Sequence, residues 1–309
     1  MTRRGMLAGA AAVGAAGVIG GPAAAQMGSK ETTSKSQANR TPVEFTWFGN
    51  HAWQIRSGEH TVLTDPWLTR FHTGTFTPEG ADPQTKLVID KAVVDKHITK
   101  ADAILVHHAH YDHMTDVPYV AAKTQATVLG TQTHVNLLKA MRTQADLLSP
   151  VRGGEYLVFD GFTIEVYPSL HSCSGKRHTY AFPGYHQDAV PARPRVIADL
   201  VEGGTLAYVV TIGGLRILSL STANFDPNAL RDLQVDVVMI APGGEPGVTD
   251  RLFQTIKPPT TALATHWDDF DKPLTEPGVP WADLTPLRTS AEKTGAKFLI
   301  VDHLERLTL

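Results

Sequence analysis

The chain has 309 residues, a formal net charge of −3 and a single cysteine, Cys173. Its charges are interspersed with no basic stripe, which argues against a nucleic-acid partner. One cysteine excludes an internal disulfide, so stability must come from packing and from any bound metal.

The opening residues read as an export signal rather than as part of the fold. Arg3-Arg4 begins a positive segment, Ala8 to Gly21 continue it as a weakly apolar run, and Ala23-Ala24-Ala25 supplies an A-x-A-type cleavage site before Gln26. The paired arginines resemble a twin-arginine signal over residues 1–25, which implies a periplasmic or extracellular protein that leaves the cytoplasm folded and metal-loaded. The run is too short and glycine-rich for a stable membrane anchor. A polar linker, 26–41, precedes the folded part of the chain, 42–309, a length that suits one large domain or two small ones.

From Val43 the pattern predicts short strands at Val43–Phe48, Ala52–Ile55 and Thr61–Thr64, with turns at Gly49-Asn50 and Ser57-Gly58. Residues 67–87 read as a long irregular loop of the kind that shapes a binding site. Ala103 to Val106 is a buried strand that ends in His107-His108-Ala109-His110-Tyr111-Asp112-His113. If the backbone stays extended, His108 and His110 share a face and His107 points to the other, while Asp112 and His113 follow at the turn into a helix. Further strands are expected at 126–130, 156–159, 162–167, 206–212, 215–220, 235–240, 261–264 and 297–301, and helices at 117–123, 131–142, 228–233, 248–256 and 284–293. The polar stretch 172–202, carrying His178, Tyr185 and His186, reads as a lid or a substrate-facing insert. Strands first and crossover helices afterwards, in each half, predict an α/β protein in which two mixed sheets pack face to face with helices outside, an αββα sandwich.

Three strand ends deliver histidines: the 108–113 turn, His171 and His266. One metal could take His108, His110 and His171, and a second Asp112, His113 and His266, each set leaving a position open for water or substrate. Zinc would lower the pKa of its water to near 7 and so make hydroxide available, with Asp112 both ligating and orienting that nucleophile.

This H-x-H-x-D-H string followed by His171 and His266 resembles the metallo-β-lactamase-fold hydrolase superfamily. Trp47-Phe48-Gly49-Asn50-His51-Ala52, Leu63-Thr64-Asp65-Pro66 and Thr265-His266-Trp267 are similar to the branch of ascorbate-phosphate lactonases and N-acyl-phosphatidylethanolamine phospholipase D-like proteins. The resemblance implies a zinc-dependent hydrolase of a small ester, lactone or phosphodiester. It places Asp65 in the shell supporting the metal ligands and His51 at the pocket rim. His178, Tyr185 and His186 are candidate substrate contacts by their place in the insert, although a surface-loop position is the favoured reading for them. It also marks a departure: Ser221 stands where relatives carry an Asp bridging two metals, so two zinc ions are expected with one as the alternative. A β-lactamase acting on β-lactams, a metal-binding protein with lost catalysis and an iron-dependent oxidoreductase are the competing readings. Asp268 and Asp269 read as solvated charges.

Overall fold

A computed structural model describes residues 40–173 and 176–309; the expected signal, 1–25, and nearly all of the linker, 26–41, lie outside the described residues. The chain first doubles back twice, as β1 (Glu44–Trp47), β2 (Trp53–Ser57) and β3 (His60–Thr64) form an antiparallel meander. Gly49, Asn50 and Gly58 take the positive φ those tight turns require. After the 65–90 stretch comes α1 (Lys91–His97), its N-terminus capped by the Asp90 carboxylate, which accepts from the Ala92 and Val93 amides. β4 (Ala103–Leu105) leads into α2 (Tyr111–Met114) and α3 (Val117–Thr124). β5 (Thr127–Gly130), α4 (Gln132–Ala140) and β6 (Leu148–Pro150) complete the first half.

The second half opens with the hairpin of β7 (Tyr156–Phe159) and β8 (Phe162–Pro168), then β9 (Leu206–Ile212) and β10 (Leu215–Ser219). It continues through β11 (Val237–Ile240), α5 (Val248–Thr255), β12 (Thr261–Ala264), α6 (Thr285–Glu292), β13 (Lys297–Leu299) and β14 (Arg306–Thr308). Two seven-stranded sheets result, in the orders β14-β1-β2-β3-β4-β5-β6 and β13-β12-β11-β10-β9-β8-β7. Each joins an antiparallel half to a parallel half.

Period-two alternation explains the layering. Ala103 and Leu105 share one buried cluster with Phe45, Ile55, Ile164, Tyr208 and Ile217 from both sheets. Ile104 and Val106, pointing the other way, pack with Val94, Val120 and Leu137 of α1, α3 and α4. This is the αββα sandwich expected from the sequence. Four elements differ. The helix expected at 228–233 is a turn: the Leu230 amide reaches the Asp226 carbonyl, but Asp232 takes a φ of 58°, left-handed backbone that stops a helix. The helix α1 and the strands β6 and β14 were not anticipated. Only Val94 of α1 is buried, which leaves little helical periodicity to read, and β14 is three residues long.

Candidate metal centre

The parallel strands β3 and β4 in one sheet and β10 to β12 in the other run out toward one edge, where Asp65, the 107–113 turn, Ser221 and His266 follow directly. β8 delivers His171 to the same place. After Leu105 the chain leaves the strand, bends at His107 and reaches His110, whose φ of −60° and ψ of 156° make it the extended residue before α2. His108 and His110 face the same opening, their rings 4.7 Å apart, and α2 turns Asp112 and His113 toward it.

The imidazoles converge in two groups. His108, His110 and His171 have ring centroids 4.7, 4.7 and 4.8 Å apart, nearly perpendicular to one another. Asp112 Oδ2 lies 3.3 Å from His113 Nε2 and 3.3 Å from His266 Nε2. The two groups abut, since the His108 and His113 rings are 3.8 Å apart. Within each group the donor atoms lie within 4.8 Å of one another, so each could hold a cation.

The surroundings fit such an ion. His108 Nδ1 is 3.2 Å from Ser221 Oγ, His110 Nε2 2.8 Å from the Ala181 carbonyl, His171 Nδ1 2.8 Å from the Ser172 carbonyl and His113 Nδ1 2.7 Å from Asp65 Oδ2. One nitrogen of each ring is thus anchored and the other remains for a ligand. His113 Nε2 is buried with no hydrogen-bond partner, an orphan that a cation would satisfy. Burial, reinforced by the neighbouring imidazoles, lowers the pKa of His108 well below its ordinary value, of His110 to about 3 and of His171 to about 4, so these rings are neutral donors. Burial also opposes charge on His113, but Asp112 and Asp65 outweigh it and hold that pKa near 10. The Asp112 and Asp65 carboxyls titrate well below the usual range: burial opposes their charge, and the histidines beside them prevail.

Asp65 sits behind the ligands, fully buried, and accepts the His107 amide at 2.8 Å while its other oxygen meets His113. His107 lies on the opposite face from His108, its Nε2 3.2 Å from the Ser219 carbonyl. The rim position expected for His51 is a correction. Its side chain is fully buried beneath the site, with Nδ1 2.9 Å from Thr265 Oγ1 and Nε2 2.8 Å from Ser219 Oγ, because the turn before β2 points it toward the opposite sheet. His186 is also corrected. Thr133 and Asn136 of α4 hold its backbone amide and carbonyl, and it does not line the cavity. His178 does line it, paired with Glu245 at 2.6 Å. Ser221 lines the cavity as well as meeting His108.

Sequence reasoning missed the support under Asp112. Asn50 Nδ2 donates to the Asp112 backbone carbonyl and lies 3.3 Å from Asp112 Oδ2. The Asn50 amide in turn donates to Asp268 Oδ1 at 2.8 Å. Asp268 is not a solvated charge: it is wholly buried, 2.7 Å from the buried Arg70 guanidinium and 2.9 Å from His303 Nε2. A Cβ on Gly49 would overlap that guanidinium, so glycine is required there. The signal was weak because Arg70 and Asp268 are 198 positions apart and Asp268 stands in an acidic run.

Above the centre lies a cavity of about 810 Å³. The profile of the family described as "Beta-lactamase superfamily domain" matches residues 44–262. The chain is 30% identical over 225 residues to a Myxococcus xanthus protein described as a UPF0173 metal-dependent hydrolase, covering 71% of this chain and 72% of that one. Its fold is similar to that of a metallo hydrolase from Ignicoccus hospitalis (TM-score 0.54, 18% identity, 87% of this chain and 99% of that one). It is also similar to a metallo-beta-lactamase fold protein from Bacillus subtilis (TM-score 0.53, 12% identity, 87% of this chain and 100% of that one).

Proposed function

This chain belongs to the beta-lactamase superfamily, and on that premise we propose that it is an exported, zinc-dependent hydrolase of a small ester, lactone or phosphodiester. The observation that carries the reading is the convergence of five imidazoles and one carboxylate on one opening, with four of the rings each anchored through one nitrogen. The description of the Myxococcus relative as a metal-dependent hydrolase supports it. Export rests on the twin-arginine-like segment at residues 1–25, and among the described residues no helix is long and apolar enough to cross a membrane.

His108, His110 and His171 would hold one zinc, and Asp112, His113 and His266 the other. Bound zinc supplies Lewis acidity and lowers the pKa of a coordinated water. The residues supply the orientation. Asp112, kept ionised by His113 and His266, accepts a hydrogen bond from the attacking water and aims it, while Asn50 fixes the carboxylate. Asp65 holds the His113 ring through Nδ1 and leaves Nε2 toward the centre. Ser221 orients His108 but adds no negative charge, so Asp112 is the one anion among the six ligands. The test is a panel of esters, lactones and phosphodiesters with zinc-loaded protein. Turnover that disappears in His110→Ala supports the reading, and inactivity of the zinc-loaded wild type on the whole panel contradicts it.

A further inference from the structure

The cavity walls carry more information than the ligands do. Phe76 and Phe270 meet edge to face at 4.7 Å, and Phe76 and Trp281 stack at 6.1 Å, so three rings form a continuous surface. That surface reaches the ligands, with Phe270 5.7 Å from the His266 ring and Trp281 Nε1 donating to the His266 carbonyl at 2.8 Å. It is also braced. Asp271 accepts from the Thr73 and Gly74 amides at 2.7 and 2.8 Å, and Thr75 Oγ1 lies 2.6 Å from the Tyr111 hydroxyl, so the loop bearing Phe76 is stitched to the segment bearing Phe270. Other parts of the cavity wall are small residues, including Ala223, Gly243 and Gly244.

Charge points the same way. Outside the ligand cluster, the acidic side chains on the cavity wall are Glu79 and Glu245, and among the described residues no Lys or Arg lines it. An anionic group extending away from the centre would meet rings and carboxylates with nothing to compensate its desolvation. A neutral, ring-sized group would exchange water for aromatic surface.

We propose that the substrate is a neutral carboxylic ester or lactone whose acyl part carries an aromatic ring, seated against Phe76, Phe270 and Trp281 while its carbonyl meets the histidine cluster. This rests on the hydrolytic reading above and narrows it through the neutral aromatic group that lies beyond the reacting bond. Water adds to the carbonyl carbon, the acyl C–O bond breaks, and the products are a carboxylic acid and an alcohol, or a hydroxy acid from a lactone.

The experiment compares 4-nitrophenyl phenylacetate, 4-nitrophenyl acetate and bis(4-nitrophenyl) phosphate, which share a leaving group, on zinc-loaded protein and on Phe76→Ala. Fluorescence quenching by the unreactive ketone phenylacetone, measured on zinc-free protein, reports binding without turnover. The phenylacetate is expected to exceed the acetate in kcat/KM by about tenfold or more. Phe76→Ala should raise KM for the phenylacetate far more than for the acetate, and should weaken phenylacetone binding; Phe76→Leu, kept apolar, should recover part of both losses. A phosphodiester turned over fastest, or both esters slowed equally by Phe76→Ala, would overturn the proposal. Hydrolysis of none of the three with saturable phenylacetone binding would instead remove the hydrolytic reading and leave the ring wall as a binding site.

Discussion

Asn50, in the turn before β2, and Asp112, in α2, are 62 positions apart, yet the Asn50 side-chain amide reaches both the backbone carbonyl and the carboxylate of Asp112. The carboxylate assigned to aim the attacking water is therefore held by a neutral donor, which orients it without neutralising it.

Asn50→Ala frees that carboxylate without touching a ligand. Its kcat on the best ester should fall about 10- to 100-fold, with KM and zinc content unchanged. Steady-state kinetics beside elemental analysis checks this. An unchanged kcat would remove Asn50 from a positioning role.

Asp65→Asn keeps the shape of the side chain but removes the charge facing His113 and His107. Zinc affinity should weaken about 10- to 100-fold, because an imidazole that loses its carboxylate partner is a poorer donor. Competition against a chromophoric chelator measures it. An unchanged affinity would mean that Asp65 serves folding alone.

Arg70→Ala leaves Asp268 buried without its guanidinium, and breaking a buried pair in this way costs about 3–5 kcal/mol. A lowered Tm is expected, and Gly49→Ala, which forces a Cβ against Arg70, should lower it in the same direction. Differential scanning calorimetry at fixed zinc reads both, and wild-type Tm values would show that the pair is dispensable.

Acid should destabilise the zinc-free protein in a defined window. Unfolded histidines take up protons near 6.5, whereas in the fold His171 does so only at about 4 and His110 at about 3. The unfolded state therefore binds more protons between those values. The contribution of these two groups is full above about pH 6.5 and falls as the pH drops toward 4, by about 1.4 kcal/mol per unit for each such group, whereas that of His113 is full below 6.5 and is lost as the pH rises toward 10. His113, raised to about 10, is protonated in both states below pH 6.5 and does not alter that slope. Thermal melts of chelator-treated protein from pH 7.5 to 4.5 test it, and a flat Tm would contradict it.

The sequence disclosed the parts of this centre that are contiguous or that follow a strand. His108 to His113 sit in one string, and His171 and His266 each come just after an apolar run, so strand-end reasoning was enough to expect them in one place. It failed where position depends on pairs remote in sequence. Arg70 and Asp268 look like ordinary surface charges until the 65–90 stretch folds over the end of β12 and buries both. His51 was misplaced for a related reason: a histidine beside a turn reads as exposed, but Thr265 and Ser219 from the opposite sheet supply two buried hydroxyls that satisfy both ring nitrogens. The aromatic wall was equally hidden, since Phe76, Phe270 and Trp281 lie in segments without periodicity.

The central claim is that two adjoining groups of side chains hold metal. Calorimetric titration of zinc into chelator-stripped protein tests it most directly. Two saturable sites are expected, one lost in His171→Ala and the other in His266→Ala. A titration with no saturable uptake, on protein shown to be folded, would contradict it.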